Sequence, residues 1–449
     1  MLAGAARADI TPEMGTQLAG DIGRRRPVEE IRDRLYANAL VLESAGRRIC
    51  LLSLDLLCIT NHWSDVIRRQ ASEKFGLDLE AVMVHVVQNH ASPALGHTFV
   101  SDECTLMPRG WLRGGDDAYN EPTVQKCLRA IEAAVENLEP AKIRVGRGID
   151  GRVAFNRRFV MRDGTVETHP AACDPNILHC EGPIDPEVGI MTLANESGGT
   201  IAALLHHTCH PCHGYPHRYV IGDWPGAWGE MMREQLGEQC VPLVINGCCG
   251  NIHHANHIDR DSAHDYHRMA RLLAETASDA LGRTEALSGT LAVERTVLRL
   301  PLRKLKAQEI DAARRIVEEH PRPKWLDAEK TRVDWDWIYA AALLDLKATQ
   351  ENDPNCDYEI QAFRIGDAAL VTLMGEPFVE AQLRIKLASP ARYTSVAHMC
   401  NGYAGYVPTE AALERGGYET RTGNWSKFQP EALDEITQAD IDLLHRLFN

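Results

Sequence analysis

The sequence predicts an α/β fold in which a mixed, buried sheet is flanked by helices. Continuous apolar runs such as ICLLSLDLL (49–57) and AVMVHVV (81–87) are typical of strands buried on both faces. Between such runs, segments such as 62–75 and 265–281 carry apolar residues at helical spacing. No internal repeat or low-complexity tract interrupts the pattern. We therefore expect a single α/β domain, 1–449, with a helical insertion at about 303–350 for which the sequence predicts no chemistry.

Local signals support each predicted element in turn. Gly76 ends the first helix, Pro122 lies in the first turn of the second, and Pro225 opens the third. The turn ESGG (196–199) predicts a hairpin between its two flanking strands, and the Gly- and Arg-rich segment 101–117 predicts a long loop. Residues 3–10 form a first short segment, and the expected strands are 35–42, 48–57, 81–87, 142–147, 189–194, 200–205, 241–245, 290–302, a hairpin within 358–373, and 394–399. The expected helices are 62–75, 122–138, 224–237, 265–281, 304–319, 337–348 and 379–387.

Composition excludes several classes of function. A net charge of −15 argues against nucleic acid or an anionic membrane surface as the main partner, because both attract basic patches. No apolar run approaches the roughly 20 residues that span a bilayer, and the N-terminus lacks the apolar core of a secretory signal. Thirteen cysteines without a dense framework favour reduced thiols. We expect a cytoplasmic protein with a small-molecule partner, and leave a homo-oligomer open.

The most distinctive stretch is HHTCHPCH, 206–213, which follows the apolar run 201–205. It holds four of the 19 histidines and is followed by His217, Asp223 and INGCCGNIHH, 245–254. Chemistry in α/β folds lies at the C-terminal ends of strands, and a neutral imidazole is the commonest metal ligand. The hypothesis is therefore a metal site. The alternative is a polar loop of solvated or hydrogen-bonded histidines.

Other predicted strand ends carry complementary ligands. Gln88 and His90 follow the strand 81–87, while Glu376 and Tyr406 follow later ones. With His210, these residues offer imidazole, carboxylate and phenolate groups. Zinc accepts nitrogen and oxygen ligands, and a catalytic zinc keeps one position open for water, which becomes a nucleophile near neutral pH.

Each of these residues also has a plainer interpretation. Glu376 precedes a proline and fits a carboxylate at a helix N-terminus. Tyr406 fits a core aromatic residue, and Arg157 fits a structural ion pair. Cys209 and Cys212 have the spacing of half a structural zinc site, although a second pair is missing.

Nine short motifs together resemble the neutral/alkaline, non-lysosomal ceramidase family. Any one motif is weak, but their order along nearly the whole chain is fairly specific. The resemblance implies the ceramidase catalytic domain without the C-terminal immunoglobulin-like domain, and a hydrolase that uses zinc. The motifs are RADITP at Arg7, NHASP at Asn89, FNRR at Phe155, HP at His210, IGDWPG at Ile221, NGCCGNI at Asn246, GEPF at Gly375, NGYAGYVPT at Asn401 and GGYE at Gly416.

The resemblance also implies roles for individual residues. The zinc ligands would be His210, Glu376 and Tyr406. His90 would assist proton transfer, Arg157 would bind the substrate, and Tyr418 would be an active-site tyrosine.

Two positions depart from the family. Gln88 stands where the family has a zinc-binding histidine, so either His90 or another histidine supplies the nitrogen, or the metal is weaker or different. Gly247 lies near the serine of some members, beside Cys248 and Cys249. These departures leave two alternatives open: a hydrolase with a cysteine nucleophile, or a non-catalytic member that binds an acyl ligand or a partner.

The favoured prediction is hydrolysis of an amide-type N-acyl bond, with an ester as the alternative substrate. A metal held by His210, Glu376 and Tyr406, and completed by His90 or Gln88, would bind the attacking water. His90 would move the proton. Arg157 and Tyr418 would stabilise the carbonyl oxygen. Asp223 would orient an imidazole.

Overall fold

The structure is a computed structural model that describes all residues, 1–449. The strands are β1 (Leu2–Asp9), β2 (Glu30–Ile31), β3 (Tyr36–Ser44), β4 (Arg47–Leu54), β5 (Val82–Val86), β6 (Glu139–Ile149), β7 (Phe155–Asn156), β8 (Arg158–Met161), β9 (Val166–Thr168), β10 (Ile177–Cys180), β11 (Glu187–Asn195), β12 (Thr200–His207), β13 (Tyr219–Val220), β14 (Val241–Asn246), β15 (Ile252–His253), β16 (Glu285–Ala286), β17 (Leu291–Pro301), β18 (Asn355–Ile365), β19 (Ala368–Thr372), β20 (Glu376–Pro377), β21 (Tyr393–Ala397) and β22 (Tyr406–Val407). The helices are α1 (Asn61–Phe75), α2 (Asp117–Glu136), α3 (Asp223–Leu236), α4 (Tyr266–Leu281), α5 (Ala307–Glu319), α6 (Trp335–Asn352), α7 (Val379–Ala388), α8 (Glu410–Arg415) and α9 (Ala432–Phe448).

A nine-stranded mixed sheet forms the centre of the fold. Its strand order is β14-β12-β11-β6-β1-β3-β4-β5, and β16 pairs with β6. The central pairs are antiparallel, whereas the outermost pairs, β12 with β14 and β4 with β5, are parallel. The predicted hairpin is confirmed: β11 and β12 are antiparallel neighbours. The parallel pairs bring the C-terminal ends of β12 and β14 together at one edge.

A second, four-stranded sheet with the order β17-β18-β19-β21 packs against the first. A hydrophobic cluster of 20 buried residues lies between them, with Leu51 and Ile245 from the main sheet and Phe363 and Leu370 from the second. Burial on both faces explains why these strands are apolar without strict alternation. A separate short pair, β20 and β22, places Glu376 directly opposite Tyr406 in a parallel register.

Helices cover the outer faces of both sheets, so the molecule has four layers. Helices α1 and α2 pack on one half of the main sheet, with Ile67 and Val124 in the shared core. Helices α3 and α4 cover the other half through Trp228 and Leu273. Helices α7 and α9 pack on the second sheet. The predicted class, a mixed buried sheet flanked by helices, is confirmed, with the second sheet as an addition.

Helix boundaries differ from prediction where side chains cap them. Helix α2 begins at Asp117, before Pro122, because the Asp116 carboxylate accepts a hydrogen bond from the backbone N–H of Ala118.

Helix α9 was not predicted, although it buries Leu443 and Leu444 against the second sheet.

Helices α5 and α6 occupy most of the segment 303–350 and pack on each other through Ala313 and Ala340. Helix α6 also buries Trp337 in a cluster that contains Tyr406 and Trp425. The segment is therefore joined to the region of the predicted site. Among the helices of the structure, none combines the length and apolar character that crossing a bilayer requires.

Candidate active site and metal centre

Loops from distant parts of the chain meet at the C-terminal ends of β5, β12 and β14. The side chain of Asn246 joins them: its Nδ2 donates to the carbonyl oxygens of Val87 at 2.9 Å and Cys209 at 3.0 Å. Its Oδ1 accepts the backbone N–H of Cys209 at 3.1 Å. A buried amide with this many partners is fixed in position. The loops that carry Gln88, His90 and His210 therefore leave the sheet from a rigid base.

His210 presents one free ring nitrogen to Glu376. Its Nδ1 lies 3.0 Å from the carbonyl oxygen of Cys249, an acceptor, so the proton is on Nδ1 and Nε2 carries a lone pair. That Nε2 lies 3.7 Å from Oε2 of Glu376. Burial lowers the pKa of His210 well below its ordinary value, and the nearby Arg157 adds to the shift. The imidazole is thus neutral, which is the form that binds metals.

Glu376 is a buried carboxylate with one oxygen unused. Oε1 accepts a hydrogen bond from the hydroxyl of Tyr403 at 3.0 Å, whereas Oε2 is buried without a hydrogen-bond partner. Burial raises the pKa of Glu376, and the charge of Arg157 opposes that rise. An unpartnered buried carboxylate oxygen is costly unless a cation or donor occupies its free side.

His90 lies beside His210, with the two ring centroids 5.2 Å apart. Its backbone N–H donates to the carbonyl of Pro211 at 3.0 Å, which joins the two loops directly. The ring atom Nε2 is buried and has no partner. Burial, with the charges of Arg26 and Arg157, lowers the pKa of His90 to about 3. This imidazole is also neutral and has a nitrogen available.

The donor atoms of His90, His210 and Cys212 all lie within 4.8 Å of one another. Ligands of one tetrahedral zinc are about 3.6 Å apart, given bond lengths of about 2.0–2.3 Å. Small side-chain rotations therefore suffice to bring this trio onto one ion. Cys209 does not join the group: its thiol contacts the His210 carbonyl at 3.7 Å and lies in the core. The paired CHPC zinc site is therefore not formed.

Tyr406 lies directly opposite Glu376 in the pair of β20 and β22. Its hydroxyl accepts a hydrogen bond from Nη2 of Arg157 at 3.2 Å. The structure thus brings together the side chains of His210, Glu376 and Tyr406. The buried, unpartnered atoms around them fit a divalent cation.

Gln88, at the position of the expected histidine, has a backbone φ of 68°, which is rare outside glycine. Its Oε1 accepts a hydrogen bond from the thiol of Cys249 at 3.3 Å, so this oxygen is already engaged. Zinc is bound by thiolates, imidazoles and carboxylates. Gln88 therefore does not replace the expected histidine as a ligand.

Arg157 is fully engaged on one side and free on the other. Nε donates to Glu419 at 2.8 Å and Nη2 donates to the Gly250 carbonyl at 2.6 Å. Burial works against its charge, but Tyr406 and Glu419 raise the pKa of Arg157 above its ordinary value. Nη1 makes no hydrogen bond within the protein, and Arg157 lines a cavity. A fixed cation with one unused donor suits a substrate oxygen.

Glu419 anchors this arginine, and the sequence analysis missed it. Its Oε2 accepts from Nη1 of Arg158 at 2.7 Å and from Oγ1 of Thr168 at 2.9 Å. Glu419 and Arg158 are both completely buried. Burial would raise the pKa of Glu419, but Arg157 and Arg158 hold it below its ordinary value. The signal in the sequence was the pairing of two adjacent arginines in FNRR with a single acid in GGYE.

Asp223 orients an imidazole, as predicted, but that imidazole belongs to His213. Oδ1 of Asp223 lies 2.6 Å from Nδ1 of His213, and Oδ2 accepts the backbone N–H of His213 at 2.8 Å. The ring of His213 stacks on that of His254 with centroids 3.6 Å apart. Because Nδ1 faces the carboxylate, Nε2 is the nitrogen that remains for a substrate.

These groups line a cavity with two arms. The larger arm, about 630 Å³, is polar, and Arg157, His210, Cys212 and His213 line it. The smaller arm, about 50 Å³, is mostly aromatic. Tyr418 borders both arms, 48% exposed, with its ring centroid 5.9 Å from that of Tyr406. Further walls of the smaller arm are Ile22, Leu57, Phe99, Trp335, Tyr339, Tyr403 and Trp425.

Trp335 and Tyr339 come from helix α6, in the segment for which the sequence predicted no chemistry. That prediction missed their position: both residues border the two arms of the cavity. The aromatic run of α6 was visible in the sequence, but nothing local connected it to the histidine loops.

Cys248 and Cys249 have the wrong surroundings for a nucleophile. Both are fully buried, and neither borders the cavity. Burial raises the pKa of each thiol well above its ordinary value. A reactive cysteine needs an accessible thiolate. The structure therefore does not favour the cysteine-nucleophile alternative.

Comparison with known proteins identifies the architecture. Neither protein-family models nor curated protein sequences match the chain. Neutral ceramidase from Pseudomonas aeruginosa superposes with a TM-score of 0.75 and 19% identity, over 99% of this chain and 75% of that one. The chain has a ceramidase-like fold. A structure titled "Ceramidase complexed with C2" superposes with a TM-score of 0.74, also at 19% identity, over 100% of this chain and 75% of that chain.

Proposed function

We propose that the protein is a zinc-dependent hydrolase that cleaves an amide-type N-acyl bond, with an ester as the alternative substrate. The observation that carries the proposal is the set of buried, unused ligand atoms at the cavity floor: Nε2 of His90 and Oε2 of Glu376, beside the free Nε2 of His210. Both structural neighbours are ceramidases by name, which supports an amide substrate.

The residues that would hold the cation are His90, His210, Glu376 and Tyr406. When bound, the cation supplies activation of a water molecule and polarisation of the scissile carbonyl. Tyr403 keeps the Glu376 carboxylate in position through its hydrogen bond to Oε1.

Arg157 stabilises the carbonyl oxygen as negative charge develops on it. Its guanidinium is fixed by Glu419 and the Gly250 carbonyl, so Nη1 points a preorganised donor into the cavity. The exposed Tyr418 borders the same space and contributes a hydroxyl. Loss of one such donor typically slows catalysis about 100- to 1,000-fold.

Proton transfer is assigned to His213 rather than His90, because His90 belongs to the metal-ligand group. Asp223 holds Nδ1 of His213, leaves Nε2 toward the cavity and stabilises the imidazolium that forms when Nε2 takes a proton. The same nitrogen then protonates the leaving amine.

The two arms of the cavity indicate the substrate. The aromatic arm, about 50 Å³, holds a short acyl group, since about 150 Å³ is needed for a benzene-sized ligand. The larger, histidine-lined arm suits a polar amine. We therefore propose a short-chain N-acyl compound with a polar amine in place of a long-chain lipid.

The experiment combines metal analysis with a substrate panel. Purified protein is expected to contain zinc and to hydrolyse N-acetyl anilides faster than N-palmitoyl analogues. Chelation abolishes the activity and zinc restores it. Activity that survives complete metal removal would overturn the metal mechanism. Bound zinc with no turnover of any N-acyl or ester substrate would favour the non-catalytic alternative.

A further inference from the structure

The loop after β12 folds so that Cys212 faces the same space as His210. The backbone N–H of Cys212 donates to the His210 carbonyl at 3.1 Å, which closes a tight turn around Pro211. The Pro211 carbonyl in turn accepts the backbone N–H of His90 at 3.0 Å. The backbone therefore fixes all three side chains relative to one another, and their donor atoms lie within 4.8 Å.

Cys212 differs from the other thiols near the site. Cys209 contacts the His210 carbonyl and Cys249 donates to Gln88, and both are fully buried. The thiol of Cys212 makes no hydrogen bond and borders the polar arm of the cavity together with His90 and His210. Its sulfur, unlike that of Cys58 in the smaller arm, lies within 4.8 Å of the donor atoms of both His90 and His210.

The amide at position 88 leaves the donor set one strong ligand short. Its oxygen accepts the Cys249 thiol, and an amide is not among the usual zinc ligands. Zinc binds thiolate sulfur at about 2.3 Å and imidazole nitrogen at about 2.0–2.1 Å, and catalytic sites that mix Cys and His ligands and keep an open position are known. Cys212 with His90 and His210 supplies that chemistry.

We propose that Cys212 is a metal ligand, and that it joins His90, His210 and Glu376 on the ion in place of Tyr406, whose hydroxyl already accepts a hydrogen bond from Arg157. The inference rests on the proposed metal-dependent function. On binding, the Cys212 thiol releases its proton to solvent and the thiolate sulfur forms the bond to the metal. Sulfur ligation favours zinc or cobalt over magnesium or calcium.

The test uses cobalt in place of zinc. Metal-free protein is loaded with Co²⁺, and the expected result is an intense near-ultraviolet band from thiolate-to-cobalt charge transfer. Cys212→Ser should lose this band. It should also bind Co²⁺ more than about 100-fold more weakly, which is a larger loss of metal affinity than removal of a hydrogen bond to a ligand causes. The matched control, Cys209→Ser, should keep both. A cobalt-loaded wild type without the band would overturn the inference while leaving the hydrolase proposal intact.

A second measurement needs no variant. X-ray absorption at the zinc edge of the loaded wild type should show one sulfur at about 2.3 Å from the ion. A shell of nitrogen and oxygen ligands alone would refute ligation by Cys212. If no metal binds at all, both this inference and the metal mechanism fail.

Discussion

Nε2 of His210 lies 3.7 Å from Oε2 of Glu376, although the two residues come from different sheets. The contact depends on two fixed partners, since Nδ1 of His210 faces the Cys249 carbonyl and Oε1 of Glu376 faces the Tyr403 hydroxyl. Both side chains therefore direct their remaining ligand atoms toward one another across a gap that suits a cation. The metal mechanism requires this arrangement.

Replacing Glu376 by Gln should abolish hydrolysis without harming the fold. The amide keeps the shape and accepts from Tyr403, but it is a poor ligand for zinc. Burial raises the pKa of Glu376, so its charge is unfavourable in the folded protein and thermal stability should stay level or rise. We expect at least a roughly 100-fold loss of kcat/KM together with loss of bound zinc.

The matched control for this variant is Glu410→Gln, an exposed acid in the first turn of α8. It should leave activity and metal content unchanged. Full activity in Glu376→Gln would remove this carboxylate from the site.

Arg157→Lys should slow the chemical step. Lysine keeps the charge but cannot contact Glu419, the Gly250 carbonyl and a substrate oxygen at the same time. We expect kcat to fall about 100- to 1,000-fold with a small change in KM. Steady-state kinetics would show this, with the exposed Arg162→Lys as the control. An increase in KM alone would assign Arg157 to ground-state binding instead.

Glu419→Gln should destabilise the protein strongly. The carboxylate is completely buried and pairs with Arg157 and Arg158, so its removal leaves the buried Arg157 without a carboxylate partner and Arg158 with Glu181 alone. Breaking a buried pair in this way costs about 3–5 kcal/mol in the free energy of unfolding. Urea titration would measure the loss, and the exposed Glu435→Gln in α9 should be neutral. A loss below about 1 kcal/mol would show that solvent reaches this network.

Asp223→Asn should reduce kcat through His213. The amide cannot stabilise an imidazolium and permits the opposite tautomer, so we expect a loss of about 100- to 10,000-fold. If the two residues act as a unit, His213→Gln should cost as much, and the double variant little more. If the kcat losses of the two single variants add up in the double variant, Asp223 and His213 act independently.

The order of strands and helices was predictable because local signals define it. The run 81–87 became β5, Val82–Val86, and the turn ESGG placed the hairpin of β11 and β12. The same patterns do not show how two sheets stack. That Leu51 and Phe363 share one core cluster depends on tertiary packing, which the periodicity of neither strand reveals.

The candidate site was partly predictable for a related reason. Motifs at strand ends indicated His90, His210 and Glu376, and the structure brings these residues to one cavity. Groups whose role depends on a distant partner were missed. Glu419 is important because two arginines face it, and Trp335 because α6 folds over the cavity.

Stability should fall as the pH is lowered below about 6.5, because buried histidines must stay neutral in the fold. Burial lowers the pKa of His85 to about 4 and that of His206 to about 3, and it lowers the pKa of His398 further below its ordinary value. Between these values and about 6.5, the unfolded chain binds protons that the folded protein does not. In this range, each histidine lowers the free energy of unfolding by up to about 1.4 kcal/mol for each pH unit that the pH falls.

Several acids act in the opposite direction. Burial raises the pKa of Asp55 to about 7, so its contribution weakens the fold as the pH rises from about 4 to 7, and burial also raises the pKa values of Asp21, Glu376, Glu380 and Asp440. Histidines with lowered pKa values outnumber these acids by ten to five, so the net free energy of unfolding should drop by about 1 kcal/mol or more between pH 7 and pH 5.5. Urea midpoints at the two pH values would measure the change. Equal or higher stability at pH 5.5 would mean that these imidazoles reach solvent in the folded protein.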